Sequence, residues 1–141
     1  MHITLLFLGE TDDRDVPKVI EAVRKAVEGV GPFEVTLRGL GAFPDVRRPR
    51  VVWAGAEPAG LLARISKGVA AGLSGIQYDT KPFKSHVTVG RCQGQADVSR
   101  LAEEFSGKEI TRFSCREVLV MKSVLGPSGA KHSVVGRVPL E

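Results

Sequence analysis

His2-Ile3-Thr4-Leu5-Leu6-Phe7-Leu8-Gly9-Glu10 and His86-Val87-Thr88-Val89-Gly90-Arg91 are the two stretches on which the reading of this chain turns. Each is a short apolar run of strand-forming residues stopped by a glycine. Each opens with the same spacing: histidine, one apolar residue, threonine. A strand sends alternate side chains to one face, so His2 projects with Thr4 and His86 with Thr88, each pair about 7 Å apart along its strand.

Outward from the first stretch, Asp12 and Asp13 offer N-cap oxygens. Over 15–30 the apolar residues Val16, Val19, Ile20, Val23, Ala26, Val27 and Val30 recur at three- and four-residue steps, with Lys18, Glu21, Arg24, Lys25 and Glu28 between them. That spacing predicts an amphipathic helix with Pro17 in its first turn and Gly29 and Gly31 ending it. Residues 33–40 alternate as a half-buried strand, 41–50 read as a loop, and 51–55 as a further strand. Leu61, Leu62, Ile65, Val69 and Leu73 mark a second helix. The pattern then restarts with a strand at 85–90, a helix at 96–105 and one long strand at 109–123. The turn Gly126-Pro127-Ser128-Gly129 leads into a closing strand at 132–138. This is a degenerate internal duplication, with halves of about 1–75 and 76–141 in one bilobal domain spanning 1–141. Helices mixed with antiparallel hairpins predict an α+β fold.

The 141 residues fit one compact domain, and 43% hydrophobic content is ordinary for a globular chain. No apolar run reaches the roughly 18 residues of a membrane span. The N-terminus lacks the basic segment and cleavage site of a signal peptide. Cys92 and Cys115 form no Cys-x-x-Cys pair and read as reduced thiols in a cytoplasmic protein. A net charge of +4 and a pI near 9.3 favour a polyanionic partner.

Were the two halves to pack about a two-fold axis, His2, Thr4, His86 and Thr88 would converge on one cleft. Opening a cyclic phosphodiester needs a base to activate water and an acid to protonate the departing sugar oxygen. Histidine, with an ordinary pKa of about 6.5, serves in either role near neutral pH. Threonine hydroxyls can donate to the non-bridging oxygens, where charge builds in the transition state. Neither histidine has a carboxylate or cysteine nearby in its motif, so the pair is a poor metal ligand set; the expectation is chemistry with no metal and no cofactor.

The two motifs resemble the signatures of the two-histidine (2H) phosphoesterases, and within them the RNA 2′,3′-cyclic phosphodiesterases, historically called 2′-5′ RNA ligases. Phe43-Pro44, Arg50-Val51-Val52-Trp53-Ala54-Gly55 and the 118–127 stretch are similar to that family too. The resemblance implies two pseudo-symmetric lobes of antiparallel sheet and helices around a central cleft. It implies hydrolysis of RNA 2′,3′-cyclic phosphate ends, tRNA fragments among them, to 2′-phosphates, and a reversible 2′-5′ ligation of cleaved RNA. By motif position, His2 would be the proton donor and His86 the proton acceptor. There are two departures. The family carries a further strand and helix before the first motif, whose absence would leave an unpaired sheet edge and favour self-association. His132 stands where an aromatic residue is common, and reads as a surface or pocket-rim residue.

Arg91 follows the second motif and is either a phosphate ligand or a solvated strand-end arginine. Arg47, Arg48 and Arg50, with Lys81 and Lys84, are candidates for an RNA-binding rim. Phe83 either stacks on a base or packs beneath the strand. Trp53, in an apolar strand, reads as core, and 126–129 as a hairpin turn rather than a phosphate loop. The competing readings are a 2′-5′ RNA ligase, a 2H enzyme acting on a small cyclic nucleotide, and a non-catalytic module that binds RNA ends.

Overall fold

The computed structural model describes residues 2–141, Leu125 through its backbone alone. It is an α+β structure of two compact units. One draws on the N-terminal residues up to Leu5, on Glu34–Ala63 and on Pro82–Ser114; the other draws on Leu6–Phe33, Arg64–Lys81 and Cys115–Glu141.

The first unit is built on a four-stranded sheet of β1 (Phe33–Phe43), β2 (Val51–Glu57), β3 (His86–Arg91) and β4 (Glu109–Cys115), in the order β3-β2-β1-β4. β2 pairs antiparallel with both β1 and β3. Alternation sorts the side chains: Val35, Leu37, Ala54, Ala56 and Val87 are buried on one face. Two bulges interrupt the ladders. In β1 the register shifts between Arg38 and Leu40, around Gly39, whose φ of 74° is open to glycine at little cost. In β3 the register steps from Thr88 to Gly90, which leaves Val89 out of the pairing and 54% exposed. A Cβ on Gly55 would stand 2.7 Å from the Arg38 carbonyl oxygen, so the close approach of β1 and β2 there requires glycine.

In the second unit, α1 (Val16–Ala26) follows a 3-10 turn over Asp13–Asp15. The Asp12 carboxylate accepts the Arg14 N–H at 3.0 Å, and Pro17 occupies the first turn of α1, where no intrahelical donor is lost. Val19, Ala22 and Val23 bury the inner stripe. β5 (Glu117–Gly126) and β6 (Gly129–Pro139) form a hairpin turned by Pro127 and Ser128. Small residues bring the helices together: Gly68 of α2 (Ala59–Ala71) and Gly72 just beyond it lie against Ala26 and Ala22.

The structure corrects the sequence reading in several places. Residues 2–9 take no regular secondary structure, although 2–8 read as a strand. Apolar composition favours a strand only where a ladder and a buried face are available. Here Phe7 is 66% exposed, and its carbonyl accepts a loop bond from Asp79 N–H at 2.7 Å. β1 runs on to Phe43 because its pairing with β2 continues to the Phe43–Val51 pair. The expected strand 109–123 is two strands broken at Arg116, since β4 joins the four-stranded sheet and β5 the hairpin. The Arg116 carbonyl accepts the Leu140 N–H at 2.9 Å. The helix expected over 15–30 closes at Ala26, and Gly29, with φ 78°, turns the chain beyond it.

A Cβ on Gly72 would stand 2.8 Å from the Ala22 Cβ, whereas one on Gly60 would meet nothing within 4 Å. In urea denaturation, Gly72→Ala should cost about 1–3 kcal/mol through overpacking. Gly60→Ala, within α2, should stabilise by about 0.5–1 kcal/mol. Equal midpoints for the two variants would contradict this packing.

Candidate active site

The site is set by how β3 enters the sheet. The Ser85 carbonyl accepts the Ala56 N–H at 3.1 Å, and the Ser85 hydroxyl donates to the Ala56 carbonyl at 2.7 Å. This pair of bonds extends the β2–β3 pairing one residue ahead of His86. Lys84, His86 and Thr88 therefore alternate onto one face, while Val87 is buried on the other. Across the ladder, His86 stands opposite Gly55, Thr88 opposite Trp53, and Trp53 opposite Gly41. The glycine matters: a Cβ at Gly41 would fall 2.2 Å from the Trp53 ring.

Over that opening three rings pack together. Phe43 lies edge-on to His86, with centroids 5.5 Å apart and planes at 90°; Trp53 lies 6.3 Å from His86 at 69°; Phe43 and Trp53 are 5.6 Å apart. The Lys84 ammonium sits above both aromatics, 4.2 Å from the Trp53 centroid and 4.9 Å from that of Phe43. Its main chain also serves the site, because His86 Nδ1 lies 2.6 Å from the Lys84 carbonyl oxygen. A carbonyl can only accept, so Nδ1 carries the proton and donates. The neutral imidazole then keeps its lone pair on Nε2, free to take a proton.

Of the residues singled out from the sequence, Lys84, His86 and Thr88 share this face, and Arg91, exposed at the end of β3 opposite Val51, follows on the same side by register. Arg50 is exposed and tied by its main chain: its N–H donates to Phe43 at 2.8 Å and its carbonyl accepts from Cys92 at 2.9 Å. Arg47 and Arg48 donate backbone N–H groups to the Asp45 carboxylate at 2.8 and 2.9 Å, leaving both side chains exposed. Phe83 is half-buried, and Lys81 donates its backbone N–H to Asp79 at 2.9 Å. His2 is exposed and Thr4 half-buried, in the segment without regular structure. His132 is exposed on the hairpin, its Nδ1 2.6 Å from the Ser123 hydroxyl oxygen. Cys92 and Cys115 are free, and burial pushes the Cys115 thiol pKa up. Among the described residues, no three His, Cys, Asp or Glu side chains are grouped to hold a metal ion, and no helix is long and apolar enough to cross a membrane.

Trp53 is not simply core. It is half-buried on the open face, touching His86 and Lys84, although its Nε1 is buried without a hydrogen-bond partner among the described residues. Phe43 and Trp53 are the site residues that sequence reasoning missed. The signal available was the i, i+2 alternation of Gly41 with Phe43 and of Trp53 with Gly55, which marks one face of two neighbouring strands.

A family model described as "2'-5' RNA ligase superfamily" matches residues 1–127. An RNA 2′,3′-cyclic phosphodiesterase of Archaeoglobus fulgidus is 34% identical over 132 residues, covering 92% of this chain and 73% of that protein. The protein of the same name from Thermus thermophilus is 31% identical, covering 99% of this chain and 72% of its own length. Among solved structures, the Thermus thermophilus protein TT0787 superposes with a TM-score of 0.77 at 29% identity, over 99% of this chain and 77% of that one. Escherichia coli LigT complexed with 3′-AMP shares the fold, with a TM-score of 0.69 at 20% identity over 99% and 76% of the two chains.

Trp53 is the chain's single tryptophan and reports on the ring cluster directly. Gly41→Ala should displace the indole, shift its fluorescence maximum and cost about 1–3 kcal/mol of stability. Unchanged emission would contradict the close contact.

Proposed function

The chain belongs to the 2′-5′ RNA ligase superfamily, and from that premise we propose that it hydrolyses RNA 2′,3′-cyclic phosphate ends to 2′-phosphates. Relatives named RNA 2′,3′-cyclic phosphodiesterase, 30–34% identical over most of the chain, support this reading. The observation that carries it is the His86 imidazole, on an accessible sheet face with Nδ1 bound to the Lys84 carbonyl, which in the neutral ring puts the lone pair on Nε2. A histidine so held is prepared to act as a base.

In the proposed reaction, His86 Nε2 removes a proton from water as the water oxygen attacks phosphorus. The bond from phosphorus to the 3′-oxygen breaks in line with that attack. His2, protonated, gives its proton to the departing 3′-oxygen. The product carries a 2′-phosphate and a free 3′-hydroxyl, and one proton has passed from water to the enzyme and another from the enzyme to the sugar. Thr88, two residues along from His86, and Thr4 donate hydrogen bonds to the non-bridging oxygens. Arg91 and Arg50 supply positive charge to the phosphate backbone, and Phe83 supplies an apolar surface to the nucleoside. Every step uses proton transfer and hydrogen bonding, so none needs a metal ion. With an RNA 5′-hydroxyl attacking in place of water, the same forward chemistry breaks the bond to the 3′-oxygen and forms a 2′-5′ linkage; run backwards, it cleaves one. The proposal includes a cytoplasmic setting, which suits two free thiols, and tRNA fragments among the substrates.

The test is product analysis on an RNA ending in a 2′,3′-cyclic phosphate, with EDTA present. A 2′-phosphate should form at a rate indifferent to EDTA. His2→Ala and His86→Ala should each lower turnover by about 10²–10⁴-fold, as expected for loss of one general acid or base. A 3′-phosphate product, or full activity in either variant, would sink the mechanism.

A further inference from the structure

We propose that Lys84 is a phosphate-binding residue of this site, its ammonium seated on Trp53 and Phe43 so that it meets the substrate's phosphate beside His86. The inference rests on the function proposed above and adds a charged ligand to it. The observation is a cation placed 4.2 and 4.9 Å from two ring centroids, next to an imidazole that packs edge-on against the same rings.

Lysine is a flexible side chain, and freezing it on a ligand ordinarily costs rotamer entropy. Here the negative faces of two rings attract the ammonium and hold it before any ligand arrives. Rings accept no hydrogen bond of ordinary strength, so the ammonium's donors stay available on the open side. No carboxylate pairs with Lys84 among the described residues, in contrast to Arg14, Arg24, Arg38, Arg112, Lys122 and Arg137, each of which has an acidic partner. A fixed, exposed ammonium with no internal counter-ion is an anion seat.

The backbone ties this seat to the reacting group. Ser85 is clamped to Ala56 by two hydrogen bonds, and extended chain on either side of it throws Lys84 and His86 to one face. The Lys84 carbonyl fixes the imidazole while its side chain places the charge. The ammonium and the imidazole pack on the same two rings, so a phosphate held by that ammonium stands beside His86. The charge is then present where negative charge grows during in-line displacement.

The probe is inorganic phosphate, titrated against the full chain and followed by broadening of its phosphorus NMR signal. Kinetics on a 2′,3′-cyclic phosphate substrate run in parallel. Wild type should broaden the signal saturably. Lys84→Met, which keeps the stem and removes the charge, should weaken phosphate binding and raise KM by about tenfold, the loss of one charge-assisted contact. Lys84→Arg should restore most of both. Wild-type phosphate binding in Lys84→Met, or no binding by wild type, overturns the proposal. Binding that depends on Lys84 in a protein that opens no cyclic phosphate upholds the seat and rejects the function above. Turnover with a KM indifferent to Lys84→Met upholds the function and rejects the seat.

Discussion

The register of β3 against β2 is the constraint on which the rest of the site depends. Side chains alternate with a period of two, so a slip of one residue exchanges the faces of the whole strand. Val87 would then lie on the open side, and His86 and Thr88 would enter the apolar layer of Leu37, Ala54 and Ala56. Two features set the register. Val87 gains most of its stabilisation only on the buried face, where it is 3% exposed. Ser85 is pinned to Ala56 by both main chain and hydroxyl. The bulge at Val89 follows at once; pairing with β2 resumes at Gly90 and Arg91, and Arg91 returns to the face of His86.

Packing, rather than ion pairing, carries the stability of this arrangement. The described ion pairs are solvent-exposed, among them Arg38 with Glu57 at 3.2 Å and Arg137 with Glu117 at 2.7 Å. Exposed pairs of this kind contribute about 0–1 kcal/mol each. The buried residues Val35, Leu37, Ala54 and Val87 instead hold the sheet from behind, and the glycines at 41 and 55 hold it from the front by admitting Trp53 and the Arg38 carbonyl. The His86 imidazole, the proposed base, thus sits on a well-packed layer, the kind of support by which a fold can hold a functional group within a fraction of an ångström of its working position.

Much of this was legible in the sequence, for identifiable reasons. The helix over 16–26, the strand carrying His86, the hairpin turn at 127–128 and the α+β class follow from period and turn chemistry, which are local signals. The segment 2–8 was misread because its apolar composition satisfies a strand pattern, while a strand exists only with a partner, and pairing is not a local property. The break at Arg116 was missed for the same reason: 109–123 is rich in strand formers throughout, and only the assignment of its two ends to different sheets divides it. At the candidate site, the shared face of His86 and Thr88 could be read from their spacing in a strand. Trp53 and Phe43 could not be given their place beside His86, because that contact runs across three strands and becomes visible only when β1, β2 and β3 are in register.

The hydrogen bond from His86 Nδ1 to the Lys84 carbonyl is where fold becomes chemistry, since it decides which nitrogen is left to accept a proton. Nitrogen-15 NMR of the His86 ring, recorded at alkaline pH and assigned by comparison with His86→Gln, reads this directly. Nδ1 should show the shift of a protonated, pyrrole-type nitrogen and Nε2 that of an unprotonated, pyridine-type one. The opposite tautomer, or an equal mixture of the two, would contradict the account.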